Sequence, residues 1–144
     1  MPDFYPTEWP QTAPPTRPSD VGLRGKMFVT RNTFVLATQL VTDFLFCGRL
    51  PAGSRFSCAM FNSSVSLTTS TLQLGTRDAA GAFTAKHTPV VTYGTTANVV
   101  TWAASVSAQD DGPLSADETV WADIGVASLP AAGSLIVDLF YYQQ

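Results

Sequence analysis

The sequence predicts an all-β fold: an antiparallel β-sandwich, jelly-roll-like, with an extended Pro-rich N-terminal arm. Three observations predict it. Lys and Glu, the common charged helix formers, occur only twice each, whereas Thr, Val and the aromatics are frequent. From Val21 onward, short apolar runs alternate with a period of two and are separated by Gly, Pro, Asn and Asp. The first twenty residues hold six of the ten prolines. At 144 residues the chain has the length of one domain. We divide it into an arm, residues 1–20, and a single sandwich domain, residues 21–144.

The arm comes first. Pro2, Pro6, Pro10, Pro14, Pro15 and Pro18 fix φ and remove backbone donors, which excludes helix and central strand and favours polyproline II. The same stretch carries Phe4, Tyr5 and Trp9. A solvated linker has little use for three aromatics, so they read as anchors on a surface. That surface belongs either to a neighbouring subunit or to the arm's own domain.

The candidate strands follow in order: Lys26–Thr30, Thr33–Ala37, Val41–Cys47, Arg55–Asn62, Ser64–Leu74, Ala82–Thr84, Val90–Tyr93, Val99–Ser105, Thr119–Val126 and Ser134–Tyr142. In Arg55–Phe61 strict alternation puts Phe56, Cys58 and Met60 on one face, and Ser57, Ala59 and Phe61 on the other. In Ser64–Leu74 the alternation is interrupted by a polar break or bulge at Thr68–Thr71. Asn98–Gln109 also admits a short helix through Trp102, Ala103, Ala104 and Val106, but its β-branched start favours a strand. Asp110-Asp111-Gly112-Pro113 is a turn. Two segments echo each other. Gly48-Arg49-Leu50-Pro51-Ala52-Gly53-Ser54 and Gly125 through Ser134 each end a strand, pass through Leu-Pro-Ala-(Ala)-Gly-Ser and start another. Two such corners suit a chain that crosses between the layers of a sandwich.

Composition narrows the function. Apolar residues make up 45% and charged residues 13%, about half the charge of an average domain. Such a Thr/Ser/Ala surface suits packing against copies or partners. The net charge of -3 offers no basic excess for nucleic acid. We expect no membrane partner, because no run of 18 apolar residues exists and no signal peptide is visible. Charge is uneven. Residues 1–60 carry Arg17, Arg24, Lys26, Arg31, Arg49 and Arg55 against four acids, whereas residues 61–144 carry Arg77 and Lys86 against seven.

Catalytic chemistry is thinly provided. His87, in Lys86-His87-Thr88-Pro89, reads as an exposed loop histidine, and no Gly-x-Ser-x-Gly elbow accompanies it. One His and two Cys match no zinc spacing. Asp110, Asp111, Asp117, Glu118 and Asp123 read as surface acids around a Gly-Pro turn. No catalytic residue, metal or cofactor is expected. Cys47 and Cys58 face each other if the first corner is a hairpin and diverge if it crosses between sheets; we read them as two buried, inert thiols. Trp102 and Trp121 read as core residues. Tyr141 and Tyr142, adjacent on one strand, must point to opposite faces, so one is available for a subunit contact.

The run Gly48–Ser54, the segment Leu72-Gln-Leu-Gly-Thr76 and the ending Leu129–Tyr142 resemble small virion structural proteins of tailed bacteriophages. The resemblance covers roughly Val41–Gln144, with Arg77–Thr88 at the position of a variable insertion. It implies a head-associated decoration, cement or minor capsid protein, a β-sandwich, often trimeric. The aromatic arm is not part of the shared pattern. On this reading the partners are the major capsid protein and copies of the chain itself. Phe4, Tyr5 and Trp9 anchor the arm, and Arg17, Arg24, Lys26 and Arg31 meet acidic capsid surface. The protein is placed on the capsid exterior after assembly in the host cytoplasm. The alternative is a carbohydrate- or receptor-binding module of a phage tail or fibre, which requires an exposed aromatic cluster with polar neighbours.

Overall fold

The structure, a computed structural model, describes residues 26–92, 96–110 and 112–143. The arm, with Phe4, Tyr5, Trp9, Arg17 and Arg24, lies outside the described residues. The strands, in chain order, are β1 (Lys26–Val35), β2 (Phe44–Leu50), β3 (Ser54–Ser63), β4 (Thr71–Arg77), β5 (Phe83–Ala85), β6 (Val91–Thr92), β7 (Thr101–Ala103), β8 (Glu118–Gly125) and β9 (Ser134–Gln143). A short helix, α1 (Val106–Asp110), lies between β7 and β8.

Two antiparallel sheets face each other. The first has four strands in the order β1-β9-β3-β7. The second has five: β2-β8-β4-β5 in order, with β6 also paired to β4. Period-two alternation decides which side chains lie between them. Strand β8 sends Val120, Ala122 and Ile124 inward; β9 sends Leu135, Val137, Leu139 and Tyr141. Phe56, Ala59 and Phe61 of β3, Leu72 and Leu74 of β4, and Leu45, Cys47 and Leu50 of β2 complete the centre of the core. Full burial of each large side chain stabilises by roughly 1.5–3 kcal/mol.

Both corners cross between sheets. The chain passes from β2 to β3 across Pro51–Gly53, and from β8 to β9 across Val126–Gly133. Gly53 (φ 81°) and Gly133 (φ 116°) supply backbone angles that L side chains resist. The hairpin arrangement of Cys47 and Cys58 is thereby excluded, and both thiols are free. The reading of two buried thiols is corrected for Cys58. A bulge between Phe56 and Cys58 inserts one extra residue, so Cys58 pairs with Phe140 on the outer face and Ala59 with Leu139 on the inner. The bulge also revises the strict alternation: Phe56, Ala59 and Phe61 share the core face, and Cys58 and Met60 the outer one.

Other boundaries moved for local reasons. The first two candidate strands are one, because Arg31 and Asn32 continue the ladder opposite Asp138 and Val137. The strand expected at Val41 begins at Phe44, since the Asp43 carboxylate accepts from the Leu40 N–H at 2.7 Å and closes a turn. The strand expected from Ser64 begins at Thr71. The polar break is a turn in which Ser70 N–H donates to Leu67 O, leaving Leu67 in the core. Asn98–Gln109 divides into β7 and α1, with the Ser105 hydroxyl accepting from the Ala108 N–H at 3.2 Å.

An alanine Cβ at Gly53 meets nothing within 4 Å, whereas at Gly133 it falls 2.8 Å from Val65 Cγ2. Gly53→Ala therefore costs about 1–2 kcal/mol of backbone strain alone, and Gly133→Ala costs more, as read by denaturant unfolding. Burial pushes the Cys47 thiol up to about 12. A thiol reagent therefore modifies Cys58 in the native protein and reaches Cys47 only after unfolding.

Candidate functional site

The outer face of the four-stranded sheet is the first candidate. Register sets its rows. Met27 lies beside Tyr142, and Val29 beside Phe140. Across β9, Cys58 lies beside Phe140 and Met60 beside Asp138, and Met60 in turn adjoins Trp102. Trp102 and Phe140 touch at 5.3 Å between ring centroids. One carboxylate sits within this apolar surface. Asp138 is nearly fully buried and accepts from Arg31 Nε at 3.0 Å and Arg31 Nη2 at 2.7 Å. Hydrogen bonding to Asp138, and then its charge, raise the pKa of the guanidinium.

A second cluster lies at the start of β8. Lys86 Nζ donates to Glu118 Oε2 at 2.6 Å. His87 Nε2 lies 2.7 Å from Glu118 Oε1, close but poorly aligned for a hydrogen bond. A cavity of about 300 Å³ opens beside them, lined by Lys86 and the segment Gly112–Glu118. No aromatic side chain lines it, so it offers a sugar no stacking surface. Burial works to raise the Glu118 pKa, but the approach of His87 and of the Lys86 ammonium outweighs it and holds Glu118 below the ordinary carboxylate value.

On the outer face of the five-stranded sheet an arginine and four aromatic rings pack together, with Phe46 still 45% exposed. Arg77 lies 4.2 Å above the Phe44 ring and 5.0 Å above Trp121. Phe46 meets Trp121 edge-on at 5.1 Å, and Phe83 stacks on Phe44 at 5.8 Å.

Several expected positions are corrected. His87 is not an exposed loop histidine; it is 1% exposed, tilted against Phe56, with its backbone N–H donating to Leu74 O. Glu118 is not an ordinary surface acid, because it holds that histidine and Lys86. Trp102 is not core: it is 57% exposed, since β7 is a three-residue edge strand whose middle residue points outward. Trp121 is half-buried on the opposite outer face. The two tyrosines divide as alternation requires: Tyr141 points into the core against Phe28, and Tyr142 points out. Arg31 already holds its own Asp138, and Lys26 opens β1 opposite Gln143. The outer sheet face as a unit was missed, because its members come from distant parts of the chain, with neighbours Val29 and Phe140 111 positions apart, and the bulge hid Cys58. Among the described residues no group of three metal-ligating side chains comes together.

No protein-family model matches the chain. No curated protein matches it either. Solved structures do. A chain of the capsid of Ralstonia phage GP4 superposes with a TM-score of 0.68 at 20% identity, over 83% of this chain and 85% of that one. A chain of the cyanophage Pam1 capsid asymmetric unit gives 0.58 at 21% identity, over 100% of both. The acid-stable capsid of Helicobacter pylori bacteriophage KHP30 contains another, at 0.56 and 12% identity, over 81% and 86%. The chain shares the fold of these phage capsid chains.

The Glu118 cluster yields a pH prediction. The folded state holds Glu118 below its unfolded-chain value, so the unfolded chain binds the proton more readily. Its contribution is complete above the unfolded value of about 4.3 and is lost as pH falls through the folded value. Glu118→Gln is less stable than the parent at pH 7, and its stability falls less steeply below about pH 4.3, as read by denaturant unfolding across pH.

Proposed function

We propose that the chain is a non-enzymatic structural protein of a phage virion, of the decoration, cement or minor capsid type. The observation that carries this reading is the fold shared with chains from three phage capsids, over the whole length of both chains in one case. The strand order supports a jelly-roll winding, because successive strands β1 to β4 alternate between sheets, as do β7 to β9. The low charge and the apolar outer sheet face support an adhesive mechanism. The sandwich is a rigid block that packs against the major capsid protein and against copies of itself on the capsid exterior, after assembly in the host cytoplasm. Each contact is modest, and repetition over a symmetric shell multiplies them.

In this role Phe4, Tyr5 and Trp9 are the arm's anchors, with Arg17, Arg24, Lys26 and Arg31 supplying charge beside them. Aromatic anchors contribute most of the affinity at protein interfaces. A homotrimer, at about three times the 15.4 kDa of the chain, is the oligomer we assign.

Deleting residues 1–20 abolishes co-sedimentation with emptied capsids and leaves the β-type circular dichroism unchanged. Binding that survives the deletion rules out the arm's part in attachment.

A further inference from the structure

A sheet face that is turned away from the core is ordinarily polar. The outer face of β1-β9-β3-β7 carries Arg31, Asp138, Arg55 and Asn62, yet apolar residues fill much of it. Met27 is 50% exposed, Val29 51%, Trp102 57% and Tyr142 38%, and Met60 and Phe140 are half-buried between them. Exposed apolar surface of this kind marks an interaction site. On the opposite outer face Arg77 lies over Phe44 and Trp121, whereas no cation lies over Trp102 or Phe140 among the described residues.

The chain itself supplies a fitting occupant. Residues 1–25 lead directly into Lys26, beside Met27 at one end of the face. They carry Phe4, Tyr5 and Trp9. At no more than about 3.3–3.6 Å per residue, the seventeen residues from Trp9 to Lys26 reach at most about 60 Å. The face is much smaller. Its ten-residue strands run about 33 Å, and its four strands cover less than about 20 Å across. β1 is an edge strand and Lys26 its first residue, so the chain joins the sandwich at a corner of this face. A segment of that length attached at a corner is long enough to bring its aromatics to the face of the next copy.

We propose that Phe4, Tyr5 and Trp9 of one copy dock on the outer face of the four-stranded sheet of a second copy, around Met27, Met60, Trp102 and Phe140. Each copy gives one arm and receives one, so the contact is head-to-tail and closes into a ring when the rotation allows. Aromatic rings meet Met thioethers and an exposed indole, contacts favourable for all three. The inference rests on the arm being an interface, as proposed above, and names the surface that receives it.

The test uses the full chain with Trp9 replaced by p-benzoylphenylalanine. Copies with ordinary nitrogen are mixed with copies labelled with heavy nitrogen, irradiated, digested and read by mass spectrometry. The expected products join position 9 of one label to the strands bearing Met27 or Met60 of the other. Cross-links within one copy only, cross-links to another surface, or none, overturn the proposal. In a second variant, Val29→Thr with Trp102→Ala, both changes are at exposed positions, so the sandwich stays folded. It lowers the mixed-label yield about tenfold or more; an unchanged yield overturns the proposal. Capsid co-sedimentation is measured in parallel. Mixed-label cross-links without capsid binding contradict the virion reading alone, and capsid binding without them contradicts the arm exchange alone.

Discussion

Burial of Leu135, Val137, Leu139 and Tyr141 from β9 between the two sheets is the interaction on which the remaining structure depends. This strand is central in its sheet, with β1 on one side and β3 on the other. Its inward side chains close the core against β2, β4 and β8, while its ladders hold the first described strand and the strand after the first corner. Removing its inward side chains empties the core and leaves two strands without a common partner. Its outward residues, Ile136, Asp138, Phe140 and Tyr142, form the middle of the face we assign to the arm. Fold and surface are thus written on alternate positions of one strand.

Asp138 makes that arrangement specific. A carboxylate taken out of water is costly unless it is paired and hydrogen-bonded. Arg31 satisfies it from the directly opposite position on β1. A slip of one residue would turn Arg31 toward the core and leave Asp138 without its cation. The pair therefore fixes the register of an edge strand, which apolar neighbours such as Met27 and Val29 would tolerate in several. Fixing β1 also fixes where the chain before Lys26 starts across the molecule.

Much of the fold was legible in the sequence because its signals are local. Leu-Pro-Ala-Gly-Ser and Leu-Pro-Ala-Ala-Gly-Ser mark both crossings, since proline ends a strand and glycine allows the angle that follows. Alternation in Glu118–Gly125 and Ser134–Gln143 is uninterrupted, and it correctly separates Tyr141 from Tyr142. What the sequence hid depends on tertiary partners. The bulge at Ser57 reverses the faces of Cys58 and Ala59, and nothing local announces it. His87 looks like a loop residue beside Thr88-Pro89, but Glu118, 31 positions away in the chain, draws it inside. Trp102 carries a core residue's side chain, yet β7 is too short and too near the sheet edge to cover it. The outer face was illegible for the same reason: β1, β3, β7 and β9 contribute to it from distant parts of the chain.

The buried histidine cluster and the apolar face have different purposes. His87, Lys86 and Glu118 join the segment after β5 to the start of β8, so the loop Gly112–Asp117 is held at its far end by the Lys86–Glu118 ion pair, with His87 close beside it. A catalytic acid or base would need a reactive group left open toward a substrate. Here the Glu118 carboxylate is stabilised in its charged form by two neighbours, and the Asp117 carboxylate lines the same cavity. The exposed apolar residues, by contrast, are only partly covered by their neighbours on the sheet. A chain of low charge gains little from long-range electrostatic steering, so recognition falls to shape and apolar burial. An aromatic arm docking on a flat sheet face supplies both. The cost of ordering the arm is reduced in advance by its prolines.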